Sequence, residues 1–225
     1  MSILISNLEK RYSRELSAPP VVRIDHLEIQ NGEKVAIVGK SGGGKSTFLN
    51  LIAGIVTPDA GSIVVKGTDV TRLSEARRDR FRAENIGFVF QTFNLLQGLT
   101  AMENVLLAMS FTGKVKSPKS RAKELLTRVG LGNKLQSKPR ELSVGEQQRV
   151  ALARSVANEP HIILADEPTA NLDDASTETV MCLLEEFCSE KDRVLILVTH
   201  EAEVAKRFPR TLDLKSIQTR AALQN

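Results

Sequence analysis

Gly39-Lys40-Ser41-Gly42-Gly43-Gly44-Lys45-Ser46-Thr47 lies between an apolar run, Val35 to Val38, and a stretch with helical spacing of apolar residues, Phe48, Leu49, Leu51 and Ile52. The glycines let the backbone curl so that several N–H groups converge on phosphate oxygens at the positive end of the following helix. In that pattern Lys45 reaches the β- and γ-phosphates and Ser46 offers its hydroxyl to Mg²⁺. A flexible glycine linker would not be flanked by a buried-strand pattern and an apolar helix. The stretch therefore predicts a phosphate-binding loop, with all nine residues from Gly39 to Thr47 at a nucleoside triphosphate.

The composition bounds what can surround that loop. A chain of 225 residues builds one large α/β domain, or a core with a small insertion. Lys plus Arg number 31 and Asp plus Glu 27, a net charge of +4 that does not indicate a nucleic-acid partner. Arg77, Arg78, Arg80 and Arg82 alternate with Glu75, Asp79 and Glu84, the pattern of a solvated helix face. No stretch has the apolar length of a bilayer span, and residues 6 to 14 are polar and charged where a secretory signal would be apolar, so a cytoplasmic location is expected. Cys182 and Cys188 sit six apart on a helical pattern without a CxxC, and both are expected to be reduced, buried packing residues.

Outward from the loop, Ile3 to Leu8, Val21 to Ile29 and Lys34 to Val38 read as strands, broken by Pro19-Pro20 and Asn31-Gly32. Thr57 to Gly61 is a turn, with strands at Ser62 to Lys66 and Ile86 to Phe90. The pattern then turns helical: Thr100 and Glu103 form a capping box, and Ser117-Pro118 starts a helix closing near Gly130. Strands resume at His161 to Ala165 and Val194 to Thr199, around a helix from about Ala175 to Ser189, the alternation of a parallel sheet. After Phe208 only Thr211 to Leu214 shows any pattern, and the tail is expected to fray.

Two further segments carry chemistry. Ile162 to Ala165 is an apolar strand ending in Asp166-Glu167, where a parallel sheet presents groups to a ligand. Asp166 suits Mg²⁺, and Glu167 is placed to polarise an attacking water, since phosphoryl transfer needs an oriented nucleophile and neutralised charge. In Leu142-Ser143-Val144-Gly145-Glu146, Ser143 and Glu146 form a second capping box, so free N–H groups at the helix start make an anion site.

The Leu142 to Val150 segment resembles the signature motif of ABC-transporter ATPases, and over about residues 1 to 208 the order of motifs follows that family: the loop, Gln91, the signature, Asp166-Glu167, Ala170-Asn171-Leu172-Asp173 and His200. The resemblance implies an α/β fold: a P-loop NTPase core of mixed, largely parallel sheet (1–91 and 141–215), an N-terminal antiparallel β-subdomain, an inserted α-helical subdomain (92–140) and a tail (216–225). It implies ATP and Mg²⁺ as cofactors. Tyr12 would stack on adenine, Gln91 would touch Mg²⁺ and the attacking water, and His200 would hydrogen-bond the γ-phosphate. Ser143 and Gly145 would meet the γ-phosphate of a second copy in a head-to-tail homodimer, with Asp173 along that interface. Val144 departs from the family's usual glycine, and the Asp-Gly usual near the C-terminus is missing after Leu214.

The segments from Ile86 to Leu96, Leu99 to Val105 and Leu164 to Asp173 are similar to those of bacterial ATPases of lipoprotein release, macrolide-type export and cell division. That implies an integral inner-membrane permease as partner and a peripheral place on the cytoplasmic face of the membrane. Phe93, Leu95, Leu96 and Leu99 read equally well as permease contact or as packing. A soluble ABC ATPase acting on DNA would carry a long coiled coil between loop and signature, and none is present. A module that uses ATP only to dimerise is the other alternative, and the presence of Lys45, Asp166, Glu167 and His200 argues against it.

Overall fold

The computed structural model describes residues 2–12, 19–40 and 42–219. Along the chain run β1 (Ile3–Lys10), β2 (Val22–Ile29), β3 (Lys34–Val38), α1 (Lys45–Ile52), β4 (Ala60–Val65), β5 (Thr68–Asp69), α2 (Glu75–Asn85) and β6 (Ile86–Val89). Then follow α3 (Ala101–Ser110), α4 (Pro118–Arg128), α5 (Val144–Ser155), β7 (Ile162–Asp166), α6 (Asp174–Ser189), β8 (Val194–Thr199), α7 (Ala202–Ala205), β9 (Arg210–Asp213) and α8 (Leu214–Thr219). The chain divides into two compact units, residues 1–79 with 194–225, and residues 80–193.

In the first unit β1 and β2 alternate. Ile3, Ile5, Leu8, Val22, Ile24, Leu27 and Ile29 are buried while Arg23, Asp25 and His26 face outward, the pattern of a sheet with one wet face. The two strands pair antiparallel with Ile5 opposite Leu27, and β4 pairs antiparallel on the other side of β1, giving the order β2-β1-β4-β5. A second set of strands is parallel: β3 lies between β8 and β9. Val35, Ala36 and Ile37 and all six residues of β8 are buried, as continuous apolar runs in a parallel sheet should be. After Phe208 the chain is more ordered than its weak pattern predicts, because β9 takes its hydrogen bonds from β3 and α8 packs its buried Leu214 inward. Residues 220–225 of the expected tail lie outside the described residues.

In the second unit β6 and β7 pair in parallel and helices α3 to α6 supply most of the regular structure. Both expected capping boxes form, at Thr100–Glu103 and at Ser143–Glu146, and Pro118 occupies the first turn of α4. Helix α6 turns Val180, Met181, Leu183, Leu184, Phe187 and Cys188 inward. Cys182 corrects an expectation: it is exposed and its thiol donates to Glu178 Oε1 at 3.1 Å, and only Cys188 is buried. Helix α2, with its alternating charges, buries none of its residues. No helix among the described residues is long and apolar enough to cross a membrane.

Candidate nucleotide site

The phosphate loop springs from the end of β3. Gly43 N–H donates to Lys40 O at 3.1 Å, closing the turn, and Gly44 takes the cap position of α1 with φ 90°, a left-handed conformation that a side chain disfavours. A Cβ on Gly44 would lie 2.5 Å from the carbonyl oxygen of Val21, so the loop is packed against the start of β2 without room for a methyl group. Lys45 is buried, and its Nζ donates to Gly39 O at 2.8 Å and Lys40 O at 3.2 Å, which fixes the ammonium at the mouth of the loop. Ser46 and Thr47 follow in the first turn of α1, and Ser41 lies outside the described residues.

The same unit brings two other expected residues toward this loop. Strands β3 and β8 run parallel with Val38 opposite Thr199, so Gly39 and the exposed His200 leave adjacent strand ends side by side. Val21 N–H donates to Lys10 O at 2.8 Å, so the strand end that carries Tyr12 and the loop that carries Gly44 flank one residue. Tyr12 is 61% exposed, with Lys10 Nζ 5.7 Å from its ring centre, and its outer face is open to a planar ligand.

The second unit assembles the remaining residues. Val89 pairs with Ala165, so the exposed Gln91 and the carboxylates Asp166 and Glu167 leave neighbouring parallel strands at the same end. Asp166 and Glu167 are buried. Glu167 has φ 45°, a left-handed backbone rare for a residue with a side chain, followed at once by Pro168 and a tight turn in which Ala170 N–H donates to Glu167 O. Ser143 caps α5 by accepting from Glu146 N–H at 3.2 Å, while Glu146 reaches back to Ser143 N–H at 2.8 Å. Val144 stands at the first helical position, 44% exposed, so the β-branched residue leaves the cap intact. A Cβ on Gly145 would lie 2.7 Å from Ser176 Oγ, and Asp173 in turn caps α6 through Ser176 N–H at 2.7 Å. The signature and the Asp173 loop are thus packed against each other. The Ser176 backbone N–H, and after it the Ser176 hydroxyl, hold the Asp173 carboxyl below the usual carboxylate range.

Two residues of α5 escaped the sequence reading. Arg154 donates from one terminal nitrogen to Asn94 O at 2.5 Å and from the other to Phe93 O at 2.6 Å, holding the loop after Gln91 where Phe93 and Asn94 are both left-handed, with φ 59° and 49°. Burial pushes its guanidinium pKa down. Gln148, wholly buried, donates to Pro168 O. The signal for Gln148 was a glutamine set among the apolar positions of its helix; Arg154 left none. Of the apolar run after Gln91, Leu95 is buried and Leu96 is 50% exposed, so packing and surface share it.

Among the described residues no three His, Cys, Asp or Glu cluster as a metal site. Ser46 in the first unit offers a hydroxyl and Asp166 in the second a carboxylate, donor types that suit Mg²⁺, which keeps most of its shell as water and phosphate oxygen, better than a cation needing an all-protein cage.

The model of the family described as "ABC transporter" matches residues 22–170 of this chain. The chain belongs to the ABC transporter family. Among similar proteins are the lipoprotein-releasing system ATP-binding protein LolD 2 of Caulobacter vibrioides, 40% identical over 95% of this chain and 94% of its own length, and LolD of Xanthomonas oryzae pv. oryzae, 44% identical over 92% and 85%. YtrE of Bacillus subtilis, an ABC transporter ATP-binding protein, is 44% identical over 83% and 81%. A solved structure of the ATP-binding cassette MJ0796, a dimer in a post-hydrolysis state bound to ADP and Pi, superposes with a TM-score of 0.87 at 37% identity, covering 94% of this chain and 93% of that one. The ABC chain described here is an ATP-binding subunit closely related to the LolD group. Its fold is that of the P-loop NTPases, with a mixed sheet, an N-terminal antiparallel subdomain and an inserted helical subdomain.

Proposed function

We propose that this ABC subunit hydrolyses ATP, dimerises head-to-tail when ATP is bound, and drives an inner-membrane permease of the lipoprotein-release or macrolide-export type from the cytoplasmic face of the membrane. The observation that carries the reading is the start of α5. Ser143 and Val144 are exposed while Gly145 is seated on Ser176, so the helix start that carries the signature's N–H groups is open to solvent. An anion site built that way serves a phosphate brought by another molecule. A second copy, bearing ATP on its own loop, is the partner that supplies one, as the dimeric MJ0796 structure supports.

Each residue then has a defined task. The loop N–H groups and Lys45 hold the β- and γ-phosphates, Tyr12 stacks on the base, and Ser46 and Asp166 would hold Mg²⁺, with Gln91 beside it. Bound Mg²⁺ supplies neutralisation of phosphate charge. Glu167 accepts a hydrogen bond from the attacking water and orients it, and His200 donates to the γ-phosphate. Ser143 and Gly145 add donors from the partner copy, and loss of the γ-phosphate removes those charge-assisted contacts, so the dimer opens. LolD relatives support a lipoprotein-release type of permease, and Leu96, Leu107 and Phe111 of the second unit, exposed at 50%, 36% and 69%, are apolar side chains available to such a partner.

Phosphate release from Mg·ATP by the purified chain tests the reading. Glu167→Gln should lower the rate at least 100-fold with ATP binding retained, the scale of a lost general base. Hydrolysis by that variant at the parent rate would show that Glu167 is not the water-orienting group and that another residue of the chain fills that role.

A further inference from the structure

Gln148 is a buried residue of α5 that packing alone does not explain. The helix turns Gln148, Val150, Ala151, Leu152, Ala153 and Ser155 inward, and Gln148 has no exposed surface. Ser155 satisfies its hydroxyl within the helix, on Leu152 O at 2.8 Å. Gln148 instead reaches out of the helix. Its Nε2 donates to Pro168 O at 2.6 Å, and its Oε1 meets no donor. Turning the amide over would set two oxygens against each other, so Pro168 fixes its orientation. A methionine would fill the same volume without burying an orphan acceptor, so the glutamine is accounted for by the bond it donates.

That bond lands beside the chemistry. Pro168 follows Glu167, whose left-handed backbone persists only where its surroundings hold it. The amide grips the carbonyl one residue beyond the strained position, in the turn closed by Ala170 N–H on Glu167 O and Leu172 N–H on Thr169 O. We propose that Gln148 is a positioning residue for Glu167: it anchors the Glu167-Pro168 turn to the signature helix and so sets the direction of the Glu167 carboxylate. This rests on the reading of Glu167 as the water-orienting group. Gln148 touches no substrate in this account, and its effect passes wholly through Glu167.

The experiment compares Gln148→Met and Gln148→Leu in the full chain, neither of which can donate to Pro168 O. Melting and ATP titration establish that each variant is folded and binds nucleotide. The expected result is a fall in kcat of at least tenfold with KM for ATP within twofold of the parent, because the loop that binds ATP is untouched. In a Glu167→Gln background, where no carboxylate remains to be aimed, Gln148→Met should change the residual rate by less than twofold. A folded Gln148→Met with kcat within twofold of the parent would overturn the proposal. So would an equal, multiplicative fall in the Glu167→Gln background, or failure of both variants to fold, since each assigns Gln148 to the structure of the helix alone. Failure of the underlying reading shows separately, as parent-level hydrolysis by the Glu167→Gln single variant.

Discussion

Replacing Gly44 by alanine isolates how tightly the phosphate loop is built. The residue has φ 90°, and alanine there meets the left-handed penalty of about 1–2 kcal/mol. Its Cβ would also stand 2.5 Å from Val21 O and 3.3 Å from Val21 Cγ1 and Val22 Cγ2. Backbone cannot rotate away as a side-chain tip can, so the start of β2 must retreat by several tenths of an ångström, at a cost of about 1–3 kcal/mol for overpacking. The total is about 2–5 kcal/mol, which for a chain of this size lowers Tm by roughly 4–20 °C. Gly42→Ala is the control: φ there is 73°, and its Cβ would meet nothing within 4 Å, so only the left-handed term applies, about 1–2 kcal/mol. Urea unfolding and thermal melts of the two variants, with an ATP titration of each, measure the difference. Val21 also pairs with Lys10, so Gly44→Ala should loosen the strand end that bears Tyr12 and weaken ATP binding beyond the control. Equal stabilities for the two variants would show that the crowding against Val21 and Val22 costs nothing.

Tyr12→Ala should weaken ATP binding about 5- to 30-fold, in line with roughly 1–2 kcal/mol for stacking on a base, without altering Tm; isothermal titration measures both ATP and a ribose triphosphate control that lacks the base. Arg154→Met removes two charge-assisted hydrogen bonds to Phe93 O and Asn94 O and should cost about 2–4 kcal/mol, with faster amide exchange from Gln91 to Leu96 as the local signature. Acid should destabilise the chain as pH falls into and through the ordinary carboxylate range, about pH 4. Asp59, held down by the Arg11 N–H, Glu159, held down by Lys191, and Asp173, held down by the Ser176 N–H, all titrate below their ordinary values, so the folded chain binds fewer protons than the unfolded one there. Their contribution is complete above the ordinary carboxylate range and is lost as pH falls through the lowered values, which urea midpoints between pH 7 and 3 would trace.

The loop at Gly39 to Thr47 was legible because its chemistry is local: a strand, a run of glycines, a lysine and a helix in one short stretch. The parallel strands were legible as continuous apolar runs, and both capping boxes because Ser or Thr and Glu stand three apart. Other features depend on partners far along the chain. Strand β9 is four residues of mixed polarity and exists through its pairing with β3, as Val35 opposite Arg210 shows. Cys182 and Cys188, six apart, are separated by about 240° around a helix, so one core face cannot take both, and the spacing itself argues against burying the pair. Gln148 and Arg154 act through carbonyls of Pro168, Phe93 and Asn94, and a backbone acceptor has no sequence signature. The left-handed backbone of Glu167 is likewise a product of the turn it sits in, although the carboxylate was identified from its place at a strand end.

In the proposed dimer the phosphate loop of one copy and the signature of another share a nucleotide. Light scattering of the Glu167→Gln variant with Mg·ATP, and again with Mg·ADP, tests it most directly. The expected outcome is a doubled mass with ATP, the monomer mass with ADP, and loss of the ATP dimer when a bulky residue at Ser143 blocks the start of α5. A variant that binds ATP yet keeps the monomer mass, or a dimer indifferent to the residue at Ser143, would contradict it.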